Sequence, residues 1–312
     1  SDVCSSDLVT IAPAAGFSIS DVAGNATTTA GGSDRSVTFD SVAPTLTVVQ
    51  AAGQADPTNT SSIQFTLSSN ETIDASTVAT GDFTATNGTV ASVSGSGTSF
   101  TVTVTATSQA TVTLGLAGGF SVSDVAGNAA TTAGGADRSV TYDATAPTLT
   151  LAQAAGQADP TNNSSIQFTL TGDEALDGAT ITASDFTVTN GGTPTITGSG
   201  STRTITVVAS GQGNVLIAPS GTFSVSDVAG NAQGTVGGTD RTVVYDLTAP
   251  TLTLQQALAQ ADPTNGSSIQ FTLSANETID ASTVATGDFT ATNGRSEEHT
   301  SELQSRETIS YA

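Results

Sequence analysis

Ile63, Phe65 and Leu67 alternate with Ser62, Gln64, Thr66 and Ser68. An apolar side chain at every second position marks a strand with one face in a core and the other in water. The same period of two runs through Leu46 and Val48, through Phe100, Val102 and Val104, through Val112 and Leu114, and through Val140 and Tyr142. Shorter apolar stretches surround Phe83 and carry Val90 and Val93. Roughly seven strands in about 100 residues, with turn residues between them, predict an all-β Greek-key sandwich. Asn87-Gly88 is predicted to be a hairpin turn, because both residues tolerate positive φ, and Gly95-Ser96-Gly97 predicts another.

The pattern repeats. APTLT begins at Ala43, Ala146 and Ala249, a period of 103 residues, and the same step relates Asp56, Asp159 and Asp262 and also Asp21, Asp124 and Asp227. Self-similarity at a fixed period is the signature of a tandem array. It divides the chain into the end of one repeat (9–42), two complete repeats (43–145, repeat 1, and 146–248, repeat 2) and the start of a fourth (249–294). Between 55–88 and 261–294 only two of 34 positions differ, Thr60 against Gly266 and Ser69 against Ala275, which points to duplication within a longer array.

Both ends break the style. Residues 295–312, RSEEHTSELQSRETISYA, and residues 1–8, SDVCSSDL, resemble translated sequencing-adapter DNA, and such segments are excluded from fold reasoning. The exclusion changes the chemistry, because the only Cys (Cys4) and the only His (His299) lie there. Residues 9–294 keep 22 of the 28 acidic residues and four of the six Arg, and Lys is absent throughout. Cysteine counting therefore predicts no disulfide framework. A net charge of -22 repels polyanions, so nucleic acid is excluded as a partner. No run of 18 apolar residues offers a membrane segment, and any export signal or anchor is expected outside this chain.

Three elements, NETIDAS…GDFTATNG, FSVSDVAGN and VTYDATAPT, resemble the bacterial Ig-like domains found in long arrays on large surface and secreted adhesins, over essentially all of 9–294. The resemblance implies tandem immunoglobulin-like sandwiches in an elongated array, located extracellularly at a bacterial cell surface or secreted. The paired Cys and core Trp of antibody-type domains are missing, so stability is expected to come from packing alone.

Nearly every charge in 9–294 follows the period; Asp173 and Arg203 alone stand outside it. Sparse, regularly placed carboxylates suit calcium, a hard cation held by loop oxygens. With an Ig-like order of strands, Asp143 approaches Glu174, Asp177 and Asp227 of the next repeat. Asp40 likewise meets Glu71, Asp74 and Asp124, and Asp246 meets Glu277 and Asp280. The alternative reading is a solvated acidic surface that keeps an extended protein soluble. Asp124 to Asn128 also reads as a turn whose Asp and Asn cap backbone groups while Gly127 supplies an unusual conformation. Asp137-Arg138 is predicted to be an exposed pair worth little energy.

Without His, Cys or Lys in the repeat, Ser-His, Cys-His and lysine-base catalysis are unavailable, and near-identical copies offer no specialised cleft for a carboxylate pair. The expectation is a non-catalytic structural spacer whose partners are its neighbouring repeats, projecting a domain that meets a host surface or glycan. Two other readings stand beside it: repeats that are themselves an adhesive binding module, and a linker appended to a secreted enzyme. A glycan platform calls for exposed aromatics, whereas Tyr142 and Tyr245 fall in a predicted core strand.

Overall fold

A computed structural model describes residues 6–292 and 308–311; Cys4 and His299 lie outside them. The chain divides into two compact units, residues 1–244 and 245–312.

In the first unit, repeat 1 forms two sheets. One has four strands in the order Ala133–Gly134, Leu46–Gln50, Ser62–Ile73, Gly88–Ala106; the other has three, Ser139–Tyr142, Ala110–Leu116, Phe83–Thr86. Neighbours run antiparallel except Ala133–Gly134, which lies parallel to Leu46–Thr47. Repeat 2 reproduces the plan with Leu149–Gln153, Ser165–Gly172, Thr202–Val208 and Thr195–Thr197 in one sheet, and Phe186–Thr189, Gly213–Pro219 and Thr242–Tyr245 in the other. These are immunoglobulin-like β-sandwiches. The alternating positions explain them: Ile63, Phe65, Leu67, Val102, Val104, Val112 and Leu114 are at most 1% exposed and share one core, while Ser62 and Gln64 face water. Tyr142 is half-buried and Tyr245 buried.

Two turn expectations fare differently. Asn87 does adopt a positive φ of 55°, and Asn190 repeats it at 57°. The strands on either side of Asn87 belong to opposite sheets, however, so it makes a corner between layers and not a hairpin. The Asn87 side chain explains the stability of the corner, because its amide donates to the Ser108 carbonyl at 2.8 Å. Gly95 and Gly97, at φ 135° and 67°, do mark a reversal, which repeat 2 shows openly as Thr195–Thr197 paired antiparallel with Thr202–Val208. A Cβ on Gly95 would lie 2.4 Å from the Ser99 carbonyl oxygen, so only glycine fits.

Arg138 departs from its predicted role. It is half-buried, and its guanidinium donates to the carbonyls of Ala133 and Gly134 at 2.5 and 2.6 Å; Arg241 does the same to Val236 and Gly237. The guanidinium presents donors in a fixed fork, and here that fork pins a two-residue edge strand.

The two charges outside the period are also accounted for. Asp173 takes the place of Asn70, and each side chain accepts from a linker backbone N–H, Thr148 at 2.8 Å and Thr45 at 2.7 Å. Arg203 takes the place of Phe100, is 4% exposed, and spends its donors on the carbonyls of Gly200, Thr202 and Leu176.

At the start of the chain, Ser6–Thr10 pairs with Ser36–Asp40 and Ile19–Ser20 with Ala26–Thr27. In the second unit, Leu252–Gln256 pairs with Gln270–Ala275, whose other edge carries Thr308–Tyr311 in parallel.

Truncating Phe65 to Ala is expected to cost about 3 to 5 kcal/mol, the range for a buried Phe that leaves a cavity. Chemical denaturation measures it; a loss below about 1 kcal/mol would contradict the burial of this strand face.

Candidate functional site

The candidate site begins with a turn. Asp124 accepts from the Asn128 backbone N–H at 2.8 Å and from the Asn128 side-chain amide at 2.8 Å, and Gly127 closes the turn at φ 94°. The same five residues fold identically at Asp227 to Asn231 and at Asp21 to Asn25. The turn is thus the predicted backbone cap. The Asn128 amide also donates to the backbone carbonyl of Asp40 at 3.2 Å, and Asn231 to that of Asp143 at 3.0 Å. One side chain therefore ties the end of one repeat to the last loop of the next.

That tie sets three carboxylates side by side. Asp40, Glu71 and Asp124 each place an oxygen within 4.8 Å of the others, and so do Asp143, Glu174 and Asp227. Asp124 and Asp227 are buried, at 3% and 1% exposed; the other four are half-buried. Glu71 reaches the cluster because its strand loses regular register between Ser68 and Ile73, and its Oε1 is buried with no hydrogen-bond partner. Two like charges at that spacing repel by about 3 kcal/mol at an effective dielectric of 20, so each cluster strains against its own charge.

The titration behaviour records the strain. Burial, then the charges of Asp40 and Asp124, push the Glu71 carboxyl up. Burial raises Glu174 further, to about 7, aided by Asp143 and Asp227, by a hydrogen bond to Asp143 and by Asp173. Asp173 is the extra charge that repeat 1 lacks, since Asn70 stands there. Burial also pushes Asp124 up, but hydrogen bonds from Asn128 and from the Ala126 and Gly127 backbone outweigh it and hold this carboxyl down.

The remaining predicted ligands lie elsewhere. Asp74 caps a 3-10 turn by accepting from the backbone N–H and hydroxyl of Ser76, and Asp177 caps Ala179 in the same way. In the second unit, Asp246 accepts from the Thr248 N–H at 2.9 Å and Asp280 caps Ser282. Glu277 again has a buried Oε1 without a partner. Among the described residues, no third carboxylate joins Asp246 and Glu277 in such a set. Sequence reasoning missed Asn128 and Asn231 as junction contacts; the signal was their invariable place four residues after Asp124 and Asp227.

Residues 40–142, one full period, match the family model described as bacterial Ig-like domain. No curated protein matches the chain. Among solved structures, the Escherichia coli adhesin FdeC is similar at 15% identity and a TM-score of 0.30, over 65% of this chain and 69% of that one. The Yersinia pseudotuberculosis adhesin InvE is similar at 17% identity and a TM-score of 0.24, over 65% and 59%. Likeness at this level carries no argument about activity. Among the described residues, no helix is long and apolar enough to cross a membrane.

A carboxyl whose pKa is higher folded than unfolded stabilises the fold below its unfolded value and loses that contribution as pH rises through the folded value. For Glu174 the window runs from its ordinary value of 4.5 to about 7. In chelator, the melting temperature of the chain is expected to fall between pH 5 and pH 8, and Glu174→Gln to flatten that slope; an unchanged slope in the variant would refute the assignment.

Proposed function

We propose that this chain is a non-catalytic stalk from an extracellular bacterial protein of the adhesin type, cell-surface or secreted, with calcium as the ion that fixes its joints. One observation carries the reading. At two successive junctions the same amide, linker carbonyl and three carboxylates come together, with the linker acid supplied by one repeat and the other two by the next. A surface that only solubilises the protein has no need to gather its acids at the joints.

The joint has further parts that support a rigid spacer. Between repeats 1 and 2, the Asn59 N–H donates to the Ala229 carbonyl at 3.1 Å. The linker residue Thr145 donates its hydroxyl to the Gln109 side chain at 2.6 Å and its N–H to Asp143 at 3.0 Å. The family description of residues 40–142 favours a bacterial source, and arrays of this kind derive their stability from each unit and its neighbour interfaces.

Calcium takes six to eight oxygens from carboxylates, carbonyls and water, and the donors here suit it: three carboxylates per joint, one with an oxygen already buried and unpartnered at Glu71. Asp40, Glu71 and Asp124 would hold one ion, and Asp143, Glu174 and Asp227 a second. The bound cation would supply the positive charge that cancels the repulsion. The protein's own part is to hold the carboxylates ready: Asn128 and Asn231 orient the buried aspartates, and the Asn70 or Asp173 anchor keeps each glutamate's segment on the linker.

Isothermal titration of the full chain with calcium is expected to show at least two sites, with Asp227→Asn removing one. At 100 times its dissociation constant an ion adds about 2.7 kcal/mol, so the melting temperature should rise by several degrees. Small-angle scattering with calcium and with chelator reads the stiffness directly. Binding without any change in the scattering profile would overturn the stiffening role, and absence of binding would overturn the calcium assignment while leaving the spacer.

A further inference from the structure

The glutamate of each joint sits in a stretch that differs sharply between the two complete repeats. Between 56–68 and 159–171 only two of 13 positions differ, whereas between 69–78 and 172–181 seven of ten do. The three that are kept are the glutamate (Glu71, Glu174), the aspartate that caps the 3-10 turn (Asp74, Asp177) and a half-buried threonine (Thr77, Thr180). The hydrogen bonds of the threonine explain its place in that set. The Thr77 hydroxyl donates to the Asp74 carbonyl at 2.7 Å and accepts from the Ser123 N–H at 3.1 Å. Thr180 does the same with Asp177 and Ser226, at 2.8 and 3.0 Å. Beside each hydroxyl a backbone bond runs the other way, from the Asp74 N–H to the Ser123 carbonyl at 2.9 Å and from the Asp177 N–H to the Ser226 carbonyl at 2.8 Å. Ser123 and Ser226 immediately precede the buried Asp124 and Asp227, and each capping aspartate follows its glutamate by three residues. One hydroxyl therefore ties the segment that carries the glutamate to the segment that carries the aspartate. The neighbouring Ser76 makes the contrast. Its hydroxyl serves its own turn, donating to the Asp74 carboxylate at 2.7 Å, and repeat 2 has Ala179 there while Asp177 still caps the turn.

We propose that Thr77 and Thr180 are positioning residues of the two carboxylate sets, holding Glu71 beside Asp124 and Glu174 beside Asp227 before a cation arrives. The inference rests on the calcium reading for its ligand, but the contact itself stands without the ion. In each set the carboxylates push the two segments apart, and the hydroxyl and the backbone bond beside it pull them together. Threonine suits the task because its branched Cβ restricts χ1, so the hydroxyl is presented in a fixed direction. Valine copies the shape but offers the Ser226 N–H no acceptor, and serine keeps the acceptor on a freer side chain.

Calcium titration and amide hydrogen exchange of the full chain test this separately. In an Asp124→Asn background, which leaves the Asp143, Glu174 and Asp227 set, Thr180→Val is expected to weaken calcium about 10- to 100-fold, the range for groups that orient metal ligands, and Thr180→Ser to restore it. In an Asp227→Asn background, Thr180→Val should leave the remaining site unchanged, which a general loss of stability would not do. In chelator, Thr180→Val should speed exchange at the Asp177 and Asn231 amides, and Thr180→Ser should not. Unchanged exchange at both amides would overturn the positioning role whether or not calcium binds, and so would wild-type calcium affinity in Thr180→Val. Absence of calcium binding by the unaltered chain would overturn the calcium reading alone, and the exchange rates would then decide the role of the threonine. If Thr180→Val does not fold, Thr77→Val puts the same questions to the first set.

Discussion

At each junction one side-chain amide joins a local turn to the neighbouring repeat. Asn128 donates one proton to Asp124 and the other to the Asp40 carbonyl, so a local turn and a long-range contact share one group. The first bond orients the amide and the second uses that orientation. Removing either partner would leave a half-buried donor or acceptor unmade, which costs more than the bond itself contributes. Because Asn231 repeats the arrangement at Asp227 and Asp143, this contact between one repeat and the next is encoded inside the repeat and copied with it.

Against that attractive contact stands the crowding of carboxylates beside it. The fold tolerates three acids within 4.8 Å because the glutamates can take up protons and because backbone and amide donors stabilise the charge on Asp124. Repeat 2 carries the larger burden. Substituting Asp173 for Asn70 preserves the bond to the linker N–H but adds a negative charge next to Glu174. The two repeats thus differ in the charge gathered at each joint, through the side chain at this position.

Much of the fold was legible in the alternation of apolar positions: the stripe Ile63, Phe65, Leu67 is buried as its spacing predicts. The grouping of Asp40, Glu71 and Asp124 also followed from the period together with an Ig-like order of strands. What local pattern could not reveal was which sheet a strand joins. Asn87 has the backbone of a hairpin residue, yet its flanking strands part company, since the choice is made by partners far along the chain. Nor could spacing separate Asp74 from Glu71. Both lie near the junction, but Asp74 has Ser76 within reach and is consumed as a cap, whereas the irregular register after Ser68 leaves Glu71 turned to the cluster. Arg138 misled for a related reason: adjacency to Asp137 suggests an ion pair, while the tertiary fold offers its fork two carbonyls.

The parallel pairing of Ala133–Gly134 with Leu46–Thr47 bears on how such a domain responds to tension. The chain enters repeat 1 just before Leu46 and leaves it just after Tyr142, whose strand lies in the other sheet, so a pull on the two ends that passed beyond that strand would drag these parallel strands in opposite directions along their own axes. Hydrogen bonds loaded that way resist together in shear, instead of opening one after another like a zipper. Arg138, holding both carbonyls of the short strand, is placed to keep that patch intact under such a load.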